Sequence, residues 1–359
     1  MRSLVPYLLV FLLILSSCSK DDDPKRYDLR ATVTPAESGT VSPATGTFEK
    51  GESVTLTATP AENFEFANWN GDAAGSTSTI SVTIDSDKNI TASFVKKDTD
   101  GDGVTDDLDQ CPNTANGASV DSNGCADNQI PSYIPTSGLA AWYPFNGTSD
   151  DLSGNANDGT VSGPAPSNDR FGNANAAFTF DGIDDYIEIA DDASIRPQFI
   201  SISLWFKTSE GANAQSLLYK SEWNTYLNEQ YSLALNFSNS PNQFDCSVKN
   251  NNNCDNPGSG WQRNQVTEAV DDNIWHHLVY TYDGGQSAIY VDGVIVSTQE
   301  FEPGEIDNCA GSPLFIGRQW IDGEFVALNP YIGELDDIGI WNRSLSSAEV
   351  VNIYQSSKN

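Results

Sequence analysis

From Leu29 onward this chain is written in short runs in which apolar and polar residues alternate, with few stretches of helical period. Leu29-Arg30-Ala31-Thr32-Val33-Thr34, Ser53-Val54-Thr55-Leu56-Thr57-Ala58 and Ser81-Val82-Thr83-Ile84 send side chains to two faces in turn, the pattern of a strand with one buried face. Gly39, Gly46, Gly51 and Gly71 punctuate these runs. Further along, Ile200 to Phe206 and His277 to Tyr282 read as strands. Asp283-Gly284-Gly285 leads into Ala288 to Val291, and Asp292-Gly293 into Val294 to Val296, so these runs read as hairpins. Many short strands without helical periods predict an all-β protein, and 359 residues are enough for two or more domains. We place a small unit at 29–96 and a large antiparallel β-sandwich at 138–359.

The N-terminus is of another kind. Arg2 precedes an apolar stretch, Leu4 to Leu15, of signal-peptide length and too short for a spanning helix. Ser16 and Ser17 then lead to Cys18. This arrangement resembles the signal sequence and lipobox of bacterial lipoproteins. The resemblance implies cleavage after residue 17 and acylation of Cys18 on sulfur and nitrogen; two or more chains anchor stably where one is marginal. Ser19-Lys20-Asp21-Asp22-Asp23, within an acidic tether at 18–28, resembles the export signal of surface lipoproteins of the Bacteroidota phylum. It implies a lipid-anchored protein of the outer membrane, exposed at the cell surface.

The formal net charge is −32, with only two histidines. Such a chain repels phosphates, which argues against a nucleic-acid partner. Clustered aspartates point instead to Ca2+, available outside the cell. There are six cysteines; lipidation of Cys18 leaves an odd number, so one thiol is left over if the rest pair.

The sharpest chemical signal lies at 97–127. Asp98, Asp100, Asp102, Gly103, Asp106 and Asp109 occupy positions 1, 3, 5, 6, 9 and 12 of a calcium loop, and the Val104 carbonyl would fill position 7. Aspartate rather than glutamate at the last position shortens the reach for bidentate binding, and no amphipathic helices flank the loop. The pattern, ending at Cys111-Pro112, resembles a thrombospondin type 3 repeat. Cys111 and Cys125 then enclose a second partial oxygen cluster, Asp121 and Asn123, and a bridge between them stabilises by about 3 kcal/mol in the chain-entropy model. Residues 128–137, with Pro131 and Pro135, read as a linker.

Two further resemblances frame this repeat. Gly39-Thr40-Val41, Gly51 to Leu56, Phe66-Ala67-Asn68-Trp69 and Ile90 to Phe94 resemble the divergent internalin-type B-repeat of bacterial surfaces, which implies a β-grasp-like spacer or adhesion module. Residues 138–355 resemble the LamG-like jelly roll of the concanavalin-A-like superfamily. The carriers are Gly138 to Phe145, Asp151 to Asn155, Phe180 to Ile187, Trp275 to Leu278 and Gly333 to Arg343. A short closing helix follows, with Ser346 and Glu349 spaced for a capping box. These motifs are specific for fold and weak for function, since one fold hosts lectins, hydrolases and adhesion modules.

A retaining glycosidase needs two carboxylates about 5–5.5 Å apart. The superfamily's hydrolase pattern is Glu-x-Asp-x-x-Glu, and Glu334-Leu335-Asp336-Asp337-Ile338-Gly339 lacks its second glutamate. We therefore expect no enzyme; a polysaccharide hydrolase and a structural spacer are the alternatives. His276 and His277 are consecutive, so they should face opposite ways. The resemblance implies a face that binds glycan or protein with calcium assistance. Asp151, Asp336 and Asp337 are candidate cation ligands if the first and last strands of the jelly roll are adjacent. Trp223, Tyr226, Trp261 and Trp320 lie in loop-like stretches and could stack on sugar rings. Cys246, Cys254 and Cys309 allow three pairings. Cys254 and Cys309 lie in loops flanking strands and are expected to pair, with Cys246 free and buried on the face it shares with Phe244.

Overall fold

The computed structural model describes residues 23–358 apart from 119, 121, 127, 210, 212, 222–228, 237–239, 252–253, 255–259 and 321–326. The chain divides after Lys97 into two compact units. Among the described residues no helix is long and apolar enough to cross a membrane.

The first unit has seven strands: β1 (Arg26–Thr34), β2 (Gly39–Ser42), β3 (Thr45–Glu49), β4 (Ser53–Pro60), β5 (Phe64–Gly71), β6 (Thr79–Thr83) and β7 (Lys88–Lys96). They form two sheets, β3-β1-β7-β5 and β2-β4-β6, with β1 and β7 parallel. The period-two alternation is why each sheet has one apolar face. Leu29, Ile90 and Phe94 from the first sheet meet Val54, Leu56 and Val82 from the second in one core. Trp69 is buried at its centre, its indole N–H donating to the Thr77 carbonyl at 2.8 Å.

The second unit is a jelly roll preceded by an irregular segment. Its strands are β8 (Leu139–Tyr143), β9 (Gly159–Ser162), β10 (Ala165–Ser167), β11 (Ala177–Asp181), β12 (Tyr186–Ile189), β13 (Ile200–Lys207), β14 (Gln215–Lys220), β15 (Tyr231–Leu235), β16 (Gln243–Lys249), β17 (Trp261–Thr267), β18 (His276–Tyr282), β19 (Gln286–Val291), β20 (Val294–Glu300), β21 (Leu314–Ile316), β22 (Gln319–Trp320), β23 (Ala327–Leu328) and β24 (Ile332–Trp341). One sheet runs β10-β11-β24-β13-β18-β19-β20, with β8 also on β24; the other runs β17-β16-β15-β14-β21-β12-β9. Their facing sides share one core containing Ile202, Leu204, Phe206, Leu233, Phe244 and Ile316. A final helix, α1 (Ser347–Ser357), starts in a capping box in which Ser346 and Glu349 bond each other's backbone N–H.

The two outer faces differ in kind. That of the first sheet is covered: Trp142, Val279, Tyr290 and Trp341 are sealed by Val350 and Ile353 of α1 and by Tyr133 and Ile134, beside buried Ser203 and His277. Residues 128–137, predicted as a linker, are thus packed against the sandwich rather than spanning open solvent. The Trp341 indole donates to the Pro135 carbonyl at 2.6 Å, and Arg343 Nε to the Ser137 carbonyl at 2.8 Å. The helix also explains why His277 is buried on the outer face, where it lies against Trp205 and Tyr354; His276 is buried against Phe206 and Asp292.

Disulfides join Cys111 to Cys125, Cα atoms 5.0 Å apart, and Cys254 to Cys309, 5.6 Å apart. Cys246 is free and fully buried in the sandwich core.

Candidate functional site

Between residues 98 and 125 the backbone folds around carboxylates rather than around an apolar core. Carboxylate oxygens of Asp98, Asp100 and Asp102 lie within 4.8 Å of one another. Backbone N–H groups curl the loop onto them: Gly101 and Gly103 donate to Asp98 at 2.9 and 3.1 Å, and Val104 to Asp102 Oδ1 at 2.7 Å. Thr114 N–H reaches across to Asp100 Oδ2 at 2.7 Å. Thr99 binds both oxygens of Asp106.

Asp109 enters from the other end of the loop. Burial raises its pKa, and the charges of Asp100, Asp102 and Asp106 push the same way, against one backbone hydrogen bond from Cys111. Gly124 permits this crowding: with φ +79° it presses its backbone against both carboxylates, and an added Cβ would stand 2.2 Å from Asp109 Oδ1 and 3.1 Å from Asp102 Oδ2. Asp102 Oδ2 is buried and makes no hydrogen bond. Three converging carboxylates, with Asp109 brought beside Asp102 at Gly124 and one buried oxygen orphaned, fit a divalent cation of the calcium type. Asp98, Asp100, Asp102 and Asp109 would hold it, and its charge would relieve their mutual repulsion. Asp121 and Cys18 lie outside the described residues. The Asn123 carbonyl accepts from Gln110 N–H at 2.7 Å.

On the seven-stranded sheet, register sets a row of side chains facing away from the core. Phe315 stands opposite Tyr219, Tyr219 opposite Ser232, Ser232 opposite Ser247 and Ser247 opposite Arg263. The next rows bring Asp245 against Gln265 and Lys249 against Trp261. This outer face is polar and aromatic; Tyr219, Ser232, Asp245, Ser247 and Phe315 on it are buried, Trp261 is half-buried, and Arg263 and Gln265 are exposed. Arg263 Nη1 holds both oxygens of Asp245 at 3.0 Å, and the two serine hydroxyls are 2.8 Å apart. At the edge, buried Glu229 accepts from the Tyr219 hydroxyl at 2.6 Å and from the Trp261 indole at 3.0 Å. Trp261 is thereby fixed in orientation, with the Arg263 guanidinium 5.6 Å from its ring centre.

Residues 181–351 match the family model described as the Concanavalin A-like lectin/glucanases superfamily, residues 29–98 the Divergent InlB B-repeat domain, and residues 92–119 the Thrombospondin type 3 repeat. The three matches fall on successive stretches of the chain. Over 99 residues it is 32% identical to neuronal pentraxin-2 of Homo sapiens and 31% identical to that of Mus musculus; each match covers 26% of this chain and 23% of the pentraxin. The chain thus spans about a quarter of the length of the curated relatives it matches. Among solved structures it is similar to domain 4 of AbnA, a GH43 extracellular arabinanase from Geobacillus stearothermophilus, in complex with arabinotriose. That match has TM-score 0.46 and 19% identity, and covers 60% of this chain and 98% of that one. The botulinum neurotoxin serotype D binding domain matches with TM-score 0.45 and 14% identity, covering 62% and 52%.

The jelly roll corrects the second predicted cation site. β8 and β24 are adjacent, as that site requires. Yet Asp151 is consumed by its own loop, accepting from the N–H groups of Trp142, Ser153 and Asn157 at 2.8–3.0 Å. Asp336 and Asp337 instead grip Arg170, at 2.5 and 2.6 Å. The guanidinium lies between the rings of Phe171 and Trp205, 4.4 and 4.8 Å from their centres. The positive charge these acids need is therefore a side chain, and the three carboxylates do not converge on a cation.

Of the four predicted aromatics, Trp261 reaches the polar face. Trp223 and Tyr226 lie outside the described residues, and Trp320 pairs through its backbone with Ala327. Sequence reasoning missed Glu229, Tyr219, Asp245 and Arg263. The strands carrying the last two do alternate with period two, but nothing in the pattern says which polar face is paired and which is merely wet.

His277 lies 2.8 Å from the Ser203 hydroxyl, but its Nδ1 has no partner, and burial, with the nearby Arg170 charge, lowers its pKa to about 3. The imidazole stays neutral, with no acid to orient it. His276 behaves oppositely. Its hydrogen bond to Asp292 raises its pKa against the effect of burial, and Asp272 adds to the rise. In Asp292 burial pushes upward, but the bonds from His276 and the His277 backbone prevail and lower the pKa. The His276 contribution is complete below its unfolded pKa of about 6.5 and is lost as pH rises through the folded value; that of Asp292 is lost only in acid. Melting temperature should therefore fall by roughly one to two degrees as pH rises from slightly acid to slightly alkaline, and His276→Gln should flatten the profile. Identical profiles for the two proteins would remove His276 as the cause.

Proposed function

We propose that this chain is a non-catalytic binding lipoprotein of the bacterial cell surface, whose jelly roll recognises a glycan or an extracellular protein and whose type 3 repeat carries calcium. The observation that carries this reading is the asymmetry of the sandwich. One outer face is sealed by α1; the other is polar and aromatic, with Trp261 fixed by Glu229. Half-buried Trp261 beside the exposed Arg263 and Gln265, held in place by buried and paired Glu229 and Asp245, suits ligands rich in hydroxyls or amides. The acids of a hydrolase are otherwise engaged: Glu334 pairs with Lys207 at 3.2 Å and Asp336 with Arg170. A glycan array probed with and without calcium tests the reading. Trp261→Ala should weaken any hit about tenfold or more, the loss of one buried aromatic contact. Release of reducing sugar from a polysaccharide would instead favour a hydrolase.

The surface location rests on the lipobox-like segment at Cys18 and the acidic run after it. Cys18→Ser should shift the protein from the detergent phase to the medium or stall its processing. Full protection from added protease on intact cells would sink surface display.

A further inference from the structure

The two halves of the calcium repeat are joined through Thr114, which is buried at 3% exposure. Asp98, Asp100 and Asp102 lie on one side, and the segment closed by the Cys111–Cys125 bridge lies on the other. Thr114 belongs to the second half and serves the first: its backbone N–H donates to Asp100 Oδ2 at 2.7 Å. Its hydroxyl oxygen stands 2.9 Å from the Cys111 carbonyl oxygen, 2.7 Å from that of Gly124 and 2.7 Å from Gln129 Oε1.

A hydroxyl has one proton to give. The Cys111 carbonyl already accepts from the N–H groups of Asn113 and Thr114, and Gln129 Oε1 accepts from Ala126 N–H at 2.9 Å. Among the described residues, the carbonyl of buried Gly124 is served by the Thr114 hydroxyl and by no backbone N–H. The proton therefore goes to Gly124, because a buried carbonyl without a donor is costly. Gly124 is also the residue whose backbone presses on Asp109 Oδ1 and on the orphaned Asp102 Oδ2. Thr114 thus holds Asp100 through its backbone and, through Gly124, the gap between Asp102 and Asp109. We propose that Thr114 is a positioning residue of the cation site: its hydroxyl keeps Gly124 against the two carboxylates and thereby sets the affinity for calcium. The proposal rests on the calcium reading of the type 3 repeat and adds to it a residue that carries no charge and acts only through others.

The test compares the full-length protein with Thr114→Val, which keeps the branched shape and removes the hydroxyl, and with Thr114→Ser, which keeps the hydroxyl. Calcium affinity is read by titration calorimetry. Tb3+ bound in place of calcium is read by its luminescence lifetimes in H2O and D2O, which count the waters on the ion. Thr114→Val should bind calcium about tenfold more weakly. Its Tb3+ should carry about one more water, since an oxygen-hungry ion replaces a carboxylate that no longer reaches it. Thr114→Ser should stay within about threefold of the parent and keep the parent's water count. A role in packing alone would lower stability and leave the water count unchanged. Thr114→Val that matches a calcium-binding parent in affinity and water count overturns the proposal and leaves the calcium reading standing. Thr114→Ser that falls as far as Thr114→Val overturns it too. If Thr114→Val does not fold, Thr114→Ala replaces it; failure of both to fold makes Thr114 a support of the fold and overturns the proposal. A parent that takes up no calcium removes the calcium reading itself, and the proposal with it.

Discussion

Removing calcium is expected to lower the melting temperature of the whole second unit, jelly roll included, by about 5–10 °C. A ligand at a hundred times its Kd stabilises by about 2.7 kcal/mol, and in a unit of this size 1 kcal/mol moves the midpoint by about 2–4 °C. Without the cation, Asp98, Asp100, Asp102 and Asp109 repel one another around Gly124. The effect should spread because the loop is wired to the sandwich. Gln110, next to Asp109, donates from its side chain to the Ser356 carbonyl at the end of α1 at 2.8 Å, and its own carbonyl accepts from Ser132 N–H. Tyr133 and Ile134 then enter the apolar layer under α1. Calorimetry in calcium and in chelator decides the matter, and Asp102→Ala should abolish the difference. Equal midpoints in the two buffers, in the unaltered protein, would refute the calcium assignment.

The second large effect is expected at Arg170. Its side chain is 5% exposed and is shared by Asp336 and Asp337, while its Nε caps the Ser357 carbonyl at 2.5 Å. Arg170→Met keeps much of the volume and removes the charge. Breaking a buried pair from one side costs about 3–5 kcal/mol, because the partner is left as an uncompensated charge. Burial and the neighbouring Asp337 already push the Asp336 pKa up, and the guanidinium is what opposes them. In the variant Asp336 should take up a proton. A carboxyl whose folded pKa lies above its unfolded one stabilises in acid and loses that contribution as pH rises. The variant should therefore be nearer to the parent at acid pH than at alkaline pH, and Asp336→Asn added to it should recover part of the loss at alkaline pH. A pH-independent deficit measured by denaturant unfolding would point to lost packing against Phe171 and Trp205 instead.

Much of this protein can be read from its sequence, because much of it is local. Period-two alternation in Ser53 to Ala58 and Ile200 to Phe206 depends only on neighbouring residues, and these became β4 and β13. The Asp98-x-Asp100-x-Asp102 spacing likewise closes on itself through hydrogen bonds only a few residues apart. The Ser346–Glu349 capping box is local in the same sense.

What escaped the sequence is what depends on residues far apart in the chain. Arg170 and Asp336 are separated by 166 positions, and nothing in Asn168-Asp169-Arg170-Phe171 announces a partner, so two acids that look like cation ligands turned out to be an arginine clamp. Residues 128–137, polar and proline-containing, read as a linker until Trp341 and Ile353 are seen to bury Tyr133 and Ile134. His276 and His277 do face opposite ways, as consecutive strand residues must, but α1 covers the outward one. Alternation along a strand determines that it has two faces; only the packing of distant elements decides which face is sealed, which carries paired polar groups, and which charges have already found each other.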